Sequence, residues 1–467
     1  MARGRKKENL TPEERLQAAL VPESEQPYKI PGNWCWVKVG TVSKAKGGKR
    51  LPKGRTFLEE KSDYPYIRVT DFDNESICIE NVKYIDSDTH MMIKNYTISS
   101  ADIYISIAGT IGKVGIIPEE LEGANLTENA AKITDINGAY QLYLMLFLKS
   151  EVAQNQMKDS TISTTQPKLA LFRIEDILLP LPPLSEQQRI VDRIESLFAK
   201  LDEAKQKAQD ALDSFETRKA AILHKAFTGE LTAQWRKEHS VGMDDWTEKT
   251  LQAVCSMKIT DGTHKTPTYC EKGDGIPFIS AKDVTTGKIC WDNIKYITPT
   301  LHEELYARLA PQIDDVLLAK NGTTGIAAIV ETDKIFDLYV TLAVLRPDKK
   351  IIVPRYLLNI VNSPICKNQF NNHLTGIGVP NLHLRDIKEV TIMVPSIPEQ
   401  TEIVRILDDL LAKEQQAKEA AEKVLEQIDL IKKSILARAF RGELGTNDPS
   451  EESAVELLRQ VLSTSDR

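Results

Sequence analysis

The sequence predicts an α+β protein in which two mixed α/β domains are separated by two long helices that pair as an antiparallel coiled coil. An internal repeat is the first reason: LSEQQRIV (184–191) returns as IPEQTEIV (397–404), and AFTGEL (226–231) returns as AFRGEL (439–444). Both pairs are 213 positions apart (397 − 184 and 439 − 226). A fixed offset at both ends of a segment indicates a duplicated unit. Heptad spacing of apolar residues between these phrases is the second reason.

The repeat divides the chain into six segments, each with its own pattern. Short β-branched runs such as CIENVKYI and DIYISIAG, bounded by Asp, Asn and Gly, predict strands inside the domains. The segments are an N-terminal extension with a short helix capped by Thr11 and Glu14 (1–27), a first domain (28–183), a central helix (184–229), a second domain (230–394), a C-terminal helix (395–442) and an acidic helical tail (443–467).

The two long helices carry matched start and stop signals. Ser185 with Gln188, and Ser396 with Glu399, fit capping boxes, and glycines follow where the helices are expected to end. Each heptad seam is interrupted once, by Arg218 or by Glu414. An antiparallel register that pairs Arg218 with Glu414 also stacks Leu201 on Ile431, Ala204 on Ile428, Ala208 on Val424 and Phe215 on Ala417. The alternative is that each interruption faces solvent or a partner.

Composition and charge limit the classes of protein to consider. The chain has 467 residues, of which 41% are hydrophobic, and no apolar run long enough to cross a membrane, so no membrane association is expected. Its basic N-terminus lacks the apolar core of a secretory signal, which predicts a cytoplasmic protein. The six cysteines form no CxxC pair and are expected to be reduced thiols. A net charge of −7 means that any nucleic-acid surface must be local.

Motifs for catalysis are missing from the sequence. There is no G-x-x-x-x-G-K-[ST] phosphate loop, no [DN]-P-P-[YF] tetrapeptide and no metal-binding spacing among the seven histidines. We therefore predict a chain that is not an enzyme by itself and binds no metal or cofactor.

Signals for DNA binding lie in loops at matched places of the two domains. The stretch 44–55, KAKGGKRLPKGR, carries six basic residues and no acid, which suits contact with phosphates. Its counterpart 258–267, KITDGTHKTP, is less basic and offers short polar side chains that can hydrogen-bond base edges. The alternative is a pair of solubilising loops.

The two domains share similar strand and helix patterns but differ in these loops, which suits recognition of two different short DNA sequences. Helices of about 48 Å are long enough to space two contacts one DNA turn apart, about 34 Å.

The candidates for DNA contact share a cationic, amide or short polar side chain in these loops. In the first domain they are Lys44, Lys46, Lys49, Arg50, Lys53, Arg55, Arg68, Lys113, Gln166 and Lys168. In the second domain they are Asp261, Thr263, His264, Lys265, Lys282, Lys320, Asn321, Asn381 and His383.

Together the phrases resemble those of a known family. LPLPPLSEQQRIV and MVPSIPEQTEIV, each followed by a charged heptad helix ending in AFTGEL or AFRGEL, resemble the specificity subunit of type I restriction–modification enzymes, as do DGTHKTP, GTIGKVGII and STTQPKLALFRIEDI. The resemblance covers nearly the whole chain. It implies two target-recognition domains that each read half of a split, asymmetric sequence in double-stranded DNA.

The resemblance also implies partners and assigns the chemistry to them. Two methyltransferase subunits would dock on the helices and supply S-adenosylmethionine and adenine-N6 methylation, and motor-nuclease subunits would add ATP- and Mg-dependent cleavage in defence against phage. Three alternatives remain at this point: a nuclease or methyltransferase whose site is not recognised, a coiled-coil adaptor that binds no specific DNA, and a subunit of a related system that only methylates.

Overall fold

The computed structural model describes residues 11–159, 167–284, 287–322, 324–373 and 381–464. It divides into two compact units, one of residues 1–207 with 424–467 and one of residues 208–423. Each unit therefore contains one mixed α/β domain, together with the first part of one long helix and the last part of the other. The predicted fold class, two repeated mixed domains and two long helices, is confirmed.

The two domains contain similar series of short strands. Those of the first are β1 (Cys35–Lys38), β2 (Lys44–Gly47), β3 (Pro65–Ile67), β4 (Phe72–Asp73), β5 (Ser76–Ile77), β6 (Lys83–Tyr84), β7 (Thr97–Ile98), β8 (Ile103–Ser106), β9 (Val114–Ile116), β10 (Ala124–Leu126), β11 (Ala130–Thr134) and β12 (Leu178–Leu181). Those of the second are β13 (Thr247–Thr250), β14 (Thr260–Asp261), β15 (Tyr269–Cys270), β16 (Ile276–Ile279), β17 (Lys295–Ile297), β18 (Val316–Ala319), β19 (Ala327–Ile329), β20 (Asp337–Leu338), β21 (Leu342–Leu345) and β22 (Thr391–Val394).

Helices flank the sheets of each domain and link the domains. They are α1 (Pro12–Ala19), α2 (Val39–Val42), α3 (Ser87–Ile93), α4 (Gln141–Lys149), α5 (Glu151–Asp159), α6 (Leu171–Glu175), α7 (Leu184–Asp213), α8 (Phe215–Phe227), α9 (Ala233–His239), α10 (Pro299–Arg308), α11 (Pro354–Val361), α12 (Pro364–Asn372), α13 (Leu384–Glu389), α14 (Ile397–Ala439) and α15 (Ala454–Thr464). None of the described helices is long and apolar enough to span a lipid bilayer.

The sheets of the two domains share one plan. A four-stranded antiparallel sheet has the order β2-β11-β8-β9 in the first domain and β14-β21-β18-β19 in the second. A second four-stranded sheet has the order β6-β3-β10-β7 or β15-β17-β16-β20, and in each the pair β3–β10 or β16–β20 is parallel. The largest apolar core of each domain lies between the first of these sheets and helix α4 or α11.

A two-stranded ribbon ties each domain to the helix that follows it. Strands β1 and β12 pair antiparallel, as do β13 and β22, so the last strand of each domain leads directly into α7 or α14. Just beyond the ribbon, Trp34 Nε1 donates to the Glu186 carboxylate at 2.7 Å, and Trp246 Nε1 donates to Glu399 at 3.0 Å. Both carboxylates are buried. The repeated Glu of the two phrases therefore accepts from a repeated tryptophan.

The repeated glutamine secures the chain turn before each helix. Gln187 Oε1 accepts from the Tyr140 amide at 2.6 Å, and Gln400 Oε1 accepts from the Val353 amide at 2.7 Å. Both amide groups also donate to backbone carbonyls, including that of Pro182 or Pro395. A buried side-chain amide needs all of these partners, since an unpaired one would be costly. The doubled phrase is thus conserved within the chain because it builds the same junction twice.

These contacts correct the predicted capping boxes. Ser185 lies inside α7 and its hydroxyl donates to Glu451 at 2.9 Å, rather than capping with Gln188. Glu399, expected to pair with Ser396, accepts instead from Trp246, Thr232 and Arg236. Tertiary hydrogen bonds inside a buried junction have replaced the local ones. The predicted capping box of Thr11 and Glu14 at the start of α1 is confirmed.

The predicted central helix of residues 184–229 is interrupted at Ser214, which separates α7 from α8. Arg218 lies beside the interruption, where its Nη2 donates to the Ala211 carbonyl at 3.2 Å and its guanidinium also contacts the Ser214 hydroxyl. The arginine thus satisfies a carbonyl that a continuous helix would have paired with an amide.

The predicted contact between Arg218 and Glu414 is present, with Nε donating to Oε2 at 2.9 Å. Of the four α14 residues in the predicted stacks, Ile428 is buried, at 2% exposed, as the predicted register requires, whereas the other three are exposed. Ile431 is 43% exposed, Val424 is 39% exposed, and Ala417 is exposed. Lys418 and Lys432 take places in the seam instead, with their ammonium groups 5.0 Å from the ring centroids of Phe215 and Phe198. An ammonium group over an aromatic ring is attracted by the negative face of that ring.

The ends of the long helices also pack in matched ways. Phe227, at the end of α8, meets Tyr356 edge-on at 5.2 Å, and Phe440, just after α14, meets Tyr143 at 5.4 Å. The two terminal helices α1 and α15 both belong to the first unit, where Leu16 and Leu458 share its core. The N-terminal and C-terminal extensions, for which the sequence predicted helices but no packing partner, are therefore part of the first unit.

Candidate nucleic-acid interface

The loops that the sequence singled out occupy the same place in both domains. Each begins where the edge strand β2 or β14 ends, and each starts with a glycine, Gly48 or Gly262. A Cβ atom on Gly48 would lie 2.1 Å from the Thr127 carbonyl oxygen, and one on Gly262 would lie 2.0 Å from that of Leu338. Only glycine allows this approach, because a Cβ that close to backbone oxygen would overlap it. The loop therefore leaves the sheet along the same path twice.

A second segment reaches the same place from the far side of each domain. Ala108 forms an isolated antiparallel bridge with Lys168, and Asn321 forms the equivalent bridge with Asn381. The amide of Leu169 donates to the carbonyl of Ile107, as that of Leu382 does to the carbonyl of Lys320. Candidates that are about 60 residues apart in sequence are thus brought together, and Ile107 and Lys320 are equivalent positions.

In the first domain this place is an open cleft of about 600 Å³. Lys49, Arg50 and Lys168 line it together with apolar side chains that include Ile107 and Leu169. A cleft with an apolar floor and several cations can hold a sugar or base against the floor and phosphates beside the cations. Three of the predicted DNA-contact residues therefore meet in one cleft.

Acidic residues neutralise part of this cationic surface. Asp135 contacts the ammonium groups of Lys46 at 3.2 Å and Lys44 at 3.6 Å, and its hydrogen bond with Lys46 is the main reason why its pKa is lowered. Arg50 Nε lies 3.0 Å from Glu128 Oε1. All three cations are more than half exposed, so the pairs are weak and can exchange for phosphate oxygens.

The other first-domain candidates lie in varied surroundings. Arg68 is held inside the domain by the buried carboxylate of Asp71 at 2.7 Å, which makes it a structural residue in this chain. Arg55 contacts Asp86 and Asp88 at 3.5 and 3.9 Å. Lys53 and Lys113 are exposed. Gln166 lies outside the described residues.

In the second domain the same place holds a compact charged cluster. Asp261 Oδ2 lies 3.2 Å from Lys320 Nζ, and both side chains are less than 10% exposed. Asp261 Oδ1 lies 3.2 Å from His264 Nε2, whereas the His264 side chain is 71% exposed. Arg308 donates to the Asp261 carbonyl at 2.9 Å. The buried carboxylate therefore joins a buried cation to an exposed ring.

The remaining second-domain candidates surround this cluster. Thr263 is buried and its hydroxyl accepts from the amide of Lys265, whose ammonium group lies 2.6 Å from Glu304. The Oδ1 atoms of Asn321 and Asn381 are buried and find no hydrogen-bond partner among the residues that the structure describes. Two further candidates lie at neighbouring surfaces: Lys282, 4.0 Å from Asp283, and His383, which precedes α13.

Several residues of the site were missed in the sequence. Glu128, Asp135 and Arg308 shape the charge of the two sites but lie far from the loops in sequence, and no local pattern marks them. A matched pair also escaped notice: His90 Nδ1 lies 2.8 Å from Asn125 Oδ1, and His302 Nδ1 lies 2.6 Å from Asp337 Oδ2. The internal repeat places both pairs at equivalent positions and was the signal that could have found them.

The described residues contain no group of three or more side chains arranged to hold a metal ion. The chemistry of the two sites is that of hydrogen bonding and charge. Both suit recognition of a polyanion with polar edges.

Comparison with known proteins agrees with this geometry. The family model described as the type I restriction modification DNA specificity domain matches residues 31–212 and 243–427, once for each domain with its long helix. The chain is 24% identical over 435 residues to the type I restriction enzyme EcoKI specificity subunit of Escherichia coli strain K12, covering 89% of this chain and 90% of that protein. It is 28% identical over 295 residues to the EcoBI specificity subunit of Escherichia coli, covering 61% of this chain and 62%, less than two thirds, of that protein.

Solved structures show the same fold. The HsdS subunit from Thermoanaerobacter tengcongensis is 21% identical, with a TM-score of 0.63 over 90% of this chain and 100% of that chain. A chain from a study of complex assembly and conformational transition of the type I R-M system is 22% identical, with a TM-score of 0.64 over 89% of this chain and 100% of that chain. With two family matches that together span most of its length, this chain belongs to the family of type I restriction–modification specificity subunits.

Proposed function

We propose that this specificity subunit reads a bipartite, asymmetric sequence in double-stranded DNA, with one half read by each domain. The observation that supports the proposal is that one backbone frame, built twice, carries two different sets of side chains at the same place. The first domain presents a cleft with cations, and the second presents a cluster in which charges are largely compensated. Two unlike readers on one frame are what an asymmetric split sequence requires.

The two sites would divide the work of binding differently. Cations in the first domain's cleft would exchange their weak acidic partners for phosphates and release counterions, which favours binding without regard to sequence. Fixed hydrogen-bonding groups in the second domain would contact base edges, which carry the sequence information. Each domain would combine both kinds of contact in its own proportion.

The chain would act in the cytoplasm with partners that supply the chemistry. Two methyltransferase subunits would dock on the long helices, bringing S-adenosylmethionine for adenine-N6 methylation, and motor-nuclease subunits would bring ATP and Mg for cleavage. This chain would bind no cofactor itself. Three exposed apolar side chains lie close together in the sequence of α14, Val424 at 39%, Leu430 at 64% and Ile431 at 43%, and support a docking surface there, because grouped exposed apolar residues mark interaction sites.

The proposal is tested by mapping adenine methylation across the host genome with long-read sequencing, with and without this gene. We expect a two-part motif that disappears on deletion and returns when the gene is restored. A chain with Lys49 and Lys168 both changed to Ala serves as a matched variant: the same motif should be methylated less completely. An unchanged methylation map after deletion would contradict the proposal and favour the adaptor alternative.

A further inference from the structure

The exposed ring of His264 is placed to read a base, and its neighbours determine how. The structure places the imidazole at the mouth of the second domain's cluster, 71% exposed, with Nε2 facing the Asp261 carboxylate at 3.2 Å. A carboxylate can only accept hydrogen bonds, so the ring nitrogen that faces it carries the proton. The other nitrogen of the neutral ring is then an acceptor directed away from Asp261.

Asp261 is held in this role by Lys320. The Lys320 ammonium group lies 3.2 Å from the second carboxylate oxygen, and both side chains are almost entirely buried. Burial of a charged carboxylate without a cation would be strongly disfavoured, and the adjacent ammonium group offsets that cost. The pair therefore keeps an acceptor-only group behind the imidazole, and its charges are largely balanced before His264 is considered.

The fold itself does not require this pair. Ile107 stands in the first domain where Lys320 stands in the second. Gly47 stands where Asp261 stands, since Gly47 pairs with Ala131 on β11 and Asp261 pairs with Ala343 on β21 immediately before the equivalent glycines. Buried ion pairs add little net stability over apolar side chains. A frame that folds with Ile and Gly in one copy has kept Lys and Asp in the other for a different reason.

The residue equivalent to His264 sharpens the contrast. Two positions beyond its glycine, the first domain carries Arg50, and the second domain carries His264 at the same distance from Gly262. A guanidinium only donates hydrogen bonds and suits the two acceptors of guanine in the major groove. A neutral imidazole that presents a bare nitrogen suits the amino group of adenine or cytosine instead.

We infer that His264 is a base-reading residue of the second domain, that it accepts a hydrogen bond from the exocyclic amino group of an adenine or a cytosine, and that Asp261 and Lys320 are its positioning residues. The inference rests on the proposed function, since it specifies how one half of the bipartite sequence is read. It assigns the second domain an acceptor where the first domain has a donor.

The test is a methylation assay at pH 8 with the complete complex of this chain and its methyltransferase subunits. The substrates are duplexes in which every base pair of the second half-site is varied in turn. The wild-type complex is expected to prefer an adenine or cytosine at one of these positions. In His264→Ala that preference should fall by roughly tenfold while all other positions keep theirs. In His264→Arg the same position should come to prefer guanine.

Asp261→Asn tests the assignment of the proton. The amide can present its NH₂ group to the imidazole, which moves the ring proton to the outward nitrogen and turns the acceptor into a donor. The position should then favour guanine or thymine, whose major-groove edges offer oxygen acceptors. Lys265→Met is the matched control, because this neighbouring lysine is 70% exposed and should affect all sequences equally.

Each result decides between outcomes. Equal loss of methylation on all four bases in His264→Ala, or no change, overturns the inference, as does an Asp261→Asn complex that keeps the wild-type order of bases or loses all preference at that position. The exposed His264 variants are expected to fold even if Asp261→Asn does not, and amide hydrogen exchange checks this. A wild-type complex that methylates without any sequence preference would instead refute the proposed function, before any variant is considered.

Discussion

The two domains share a frame and differ in the chemistry of one site. The frame rests on buried contacts at the start of each long helix, where Trp34 and Trp246 bind equivalent glutamates. The proposed DNA-contact sites, by contrast, lie on loops that follow the edge strand of a sheet. Because the frame is held by residues that take no part in the sites, the loops can change without loss of the fold. In this chain, the residues that hold the fold of each domain are therefore separate from those proposed to contact DNA.

The largest expected difference between the two units is the loss of stability when the buried glutamate of each is replaced by alanine. Glu399 accepts from the buried Arg236 at 2.7 Å, whereas Glu186 accepts from the neutral donors Trp34 and Asn447. Glu399→Ala should cost about 3–5 kcal/mol because it strands a buried charge, and Glu186→Ala about 1–3 kcal/mol because it leaves unpaired neutral groups. Hydrogen exchange measured separately on β12 and β22 resolves the two units. Equal losses of stability in the two variants would mean that Arg236 finds another partner when Glu399 is removed.

The next difference concerns the salt dependence of DNA binding. Replacing Lys49 and Lys168 in the first domain's cleft should reduce the slope of log affinity against log salt by about 2, since each phosphate contact contributes about 0.9. Lys320→Met in the second domain should change the slope much less, because Lys320 is paired with Asp261. Binding titrations at several salt concentrations measure both. Similar slopes for the two variants would remove the distinction between a phosphate-binding cleft and a compensated cluster.

A smaller effect is expected where α8 and α14 meet in the second unit. Arg218 and Glu414 are partly exposed, at 37% and 21%, so solvent weakens their attraction. Arg218→Met should cost about 1 kcal/mol, since it removes the ion pair with Glu414 and one of the two donors to the Ala211 carbonyl, the other being the Ser214 hydroxyl. The double change to Met at both positions should recover part of this loss. Thermal unfolding of the single and double variants gives the coupling, and a double variant worse than the sum of the singles would contradict this account.

The smallest expected effect is a pH dependence of stability, which should arise from the pair of His302 and Asp337 and not from the equivalent pair of His90 and Asn125. Burial raises the pKa of Asp337 above its usual value, and its contact with His302 opposes this rise only in part. A carboxyl with a raised pKa in the folded state contributes stability below its unfolded value, and that contribution is lost as pH rises through the folded value. Asp337→Asn reproduces Asn125 of the first domain and removes this titration.

The unfolding free energy of the wild type relative to Asp337→Asn should therefore decrease as pH rises from below 4. Urea unfolding of both chains at a series of acidic pH values measures the difference. Asn125→Asp is the reciprocal control and should introduce a similar dependence in the first domain. A difference that grows with rising pH would show that the contact with His302 outweighs the burial of Asp337.

Much of the frame could be predicted because duplication repeats its signals. The strands, the paired helices and the contact between Arg218 and Glu414 follow from patterns that occur twice or from breaks in a regular seam. The phase of the seam in α14 could not be predicted, because Lys418 and Lys432 look like surface residues in sequence. Only the structure shows their ammonium groups over the rings of Phe215 and Phe198.

The sequence could predict which loops form the two sites, but not how the side chains of those loops contact one another. Basic composition marked the cleft of the first domain, and three of its candidates do meet there. Composition misled at Arg68, whose guanidinium is held by the buried carboxylate of Asp71. The cluster of Asp261, His264 and Lys320 depends on distances between segments about 60 residues apart, and no periodicity in a sequence reports such distances.

The most direct test of the central claim is a chain that carries the first domain twice. Residues 247–394 would be replaced by a second copy of residues 35–181, so that each copy of the ribbon still leads into a long helix. Assembled with its methyltransferase subunits, this chain should methylate a motif whose two halves are both the half read by the first domain. A motif unchanged from the wild type, or methylation without any sequence preference despite intact folding, would contradict the claim that each domain reads its own half.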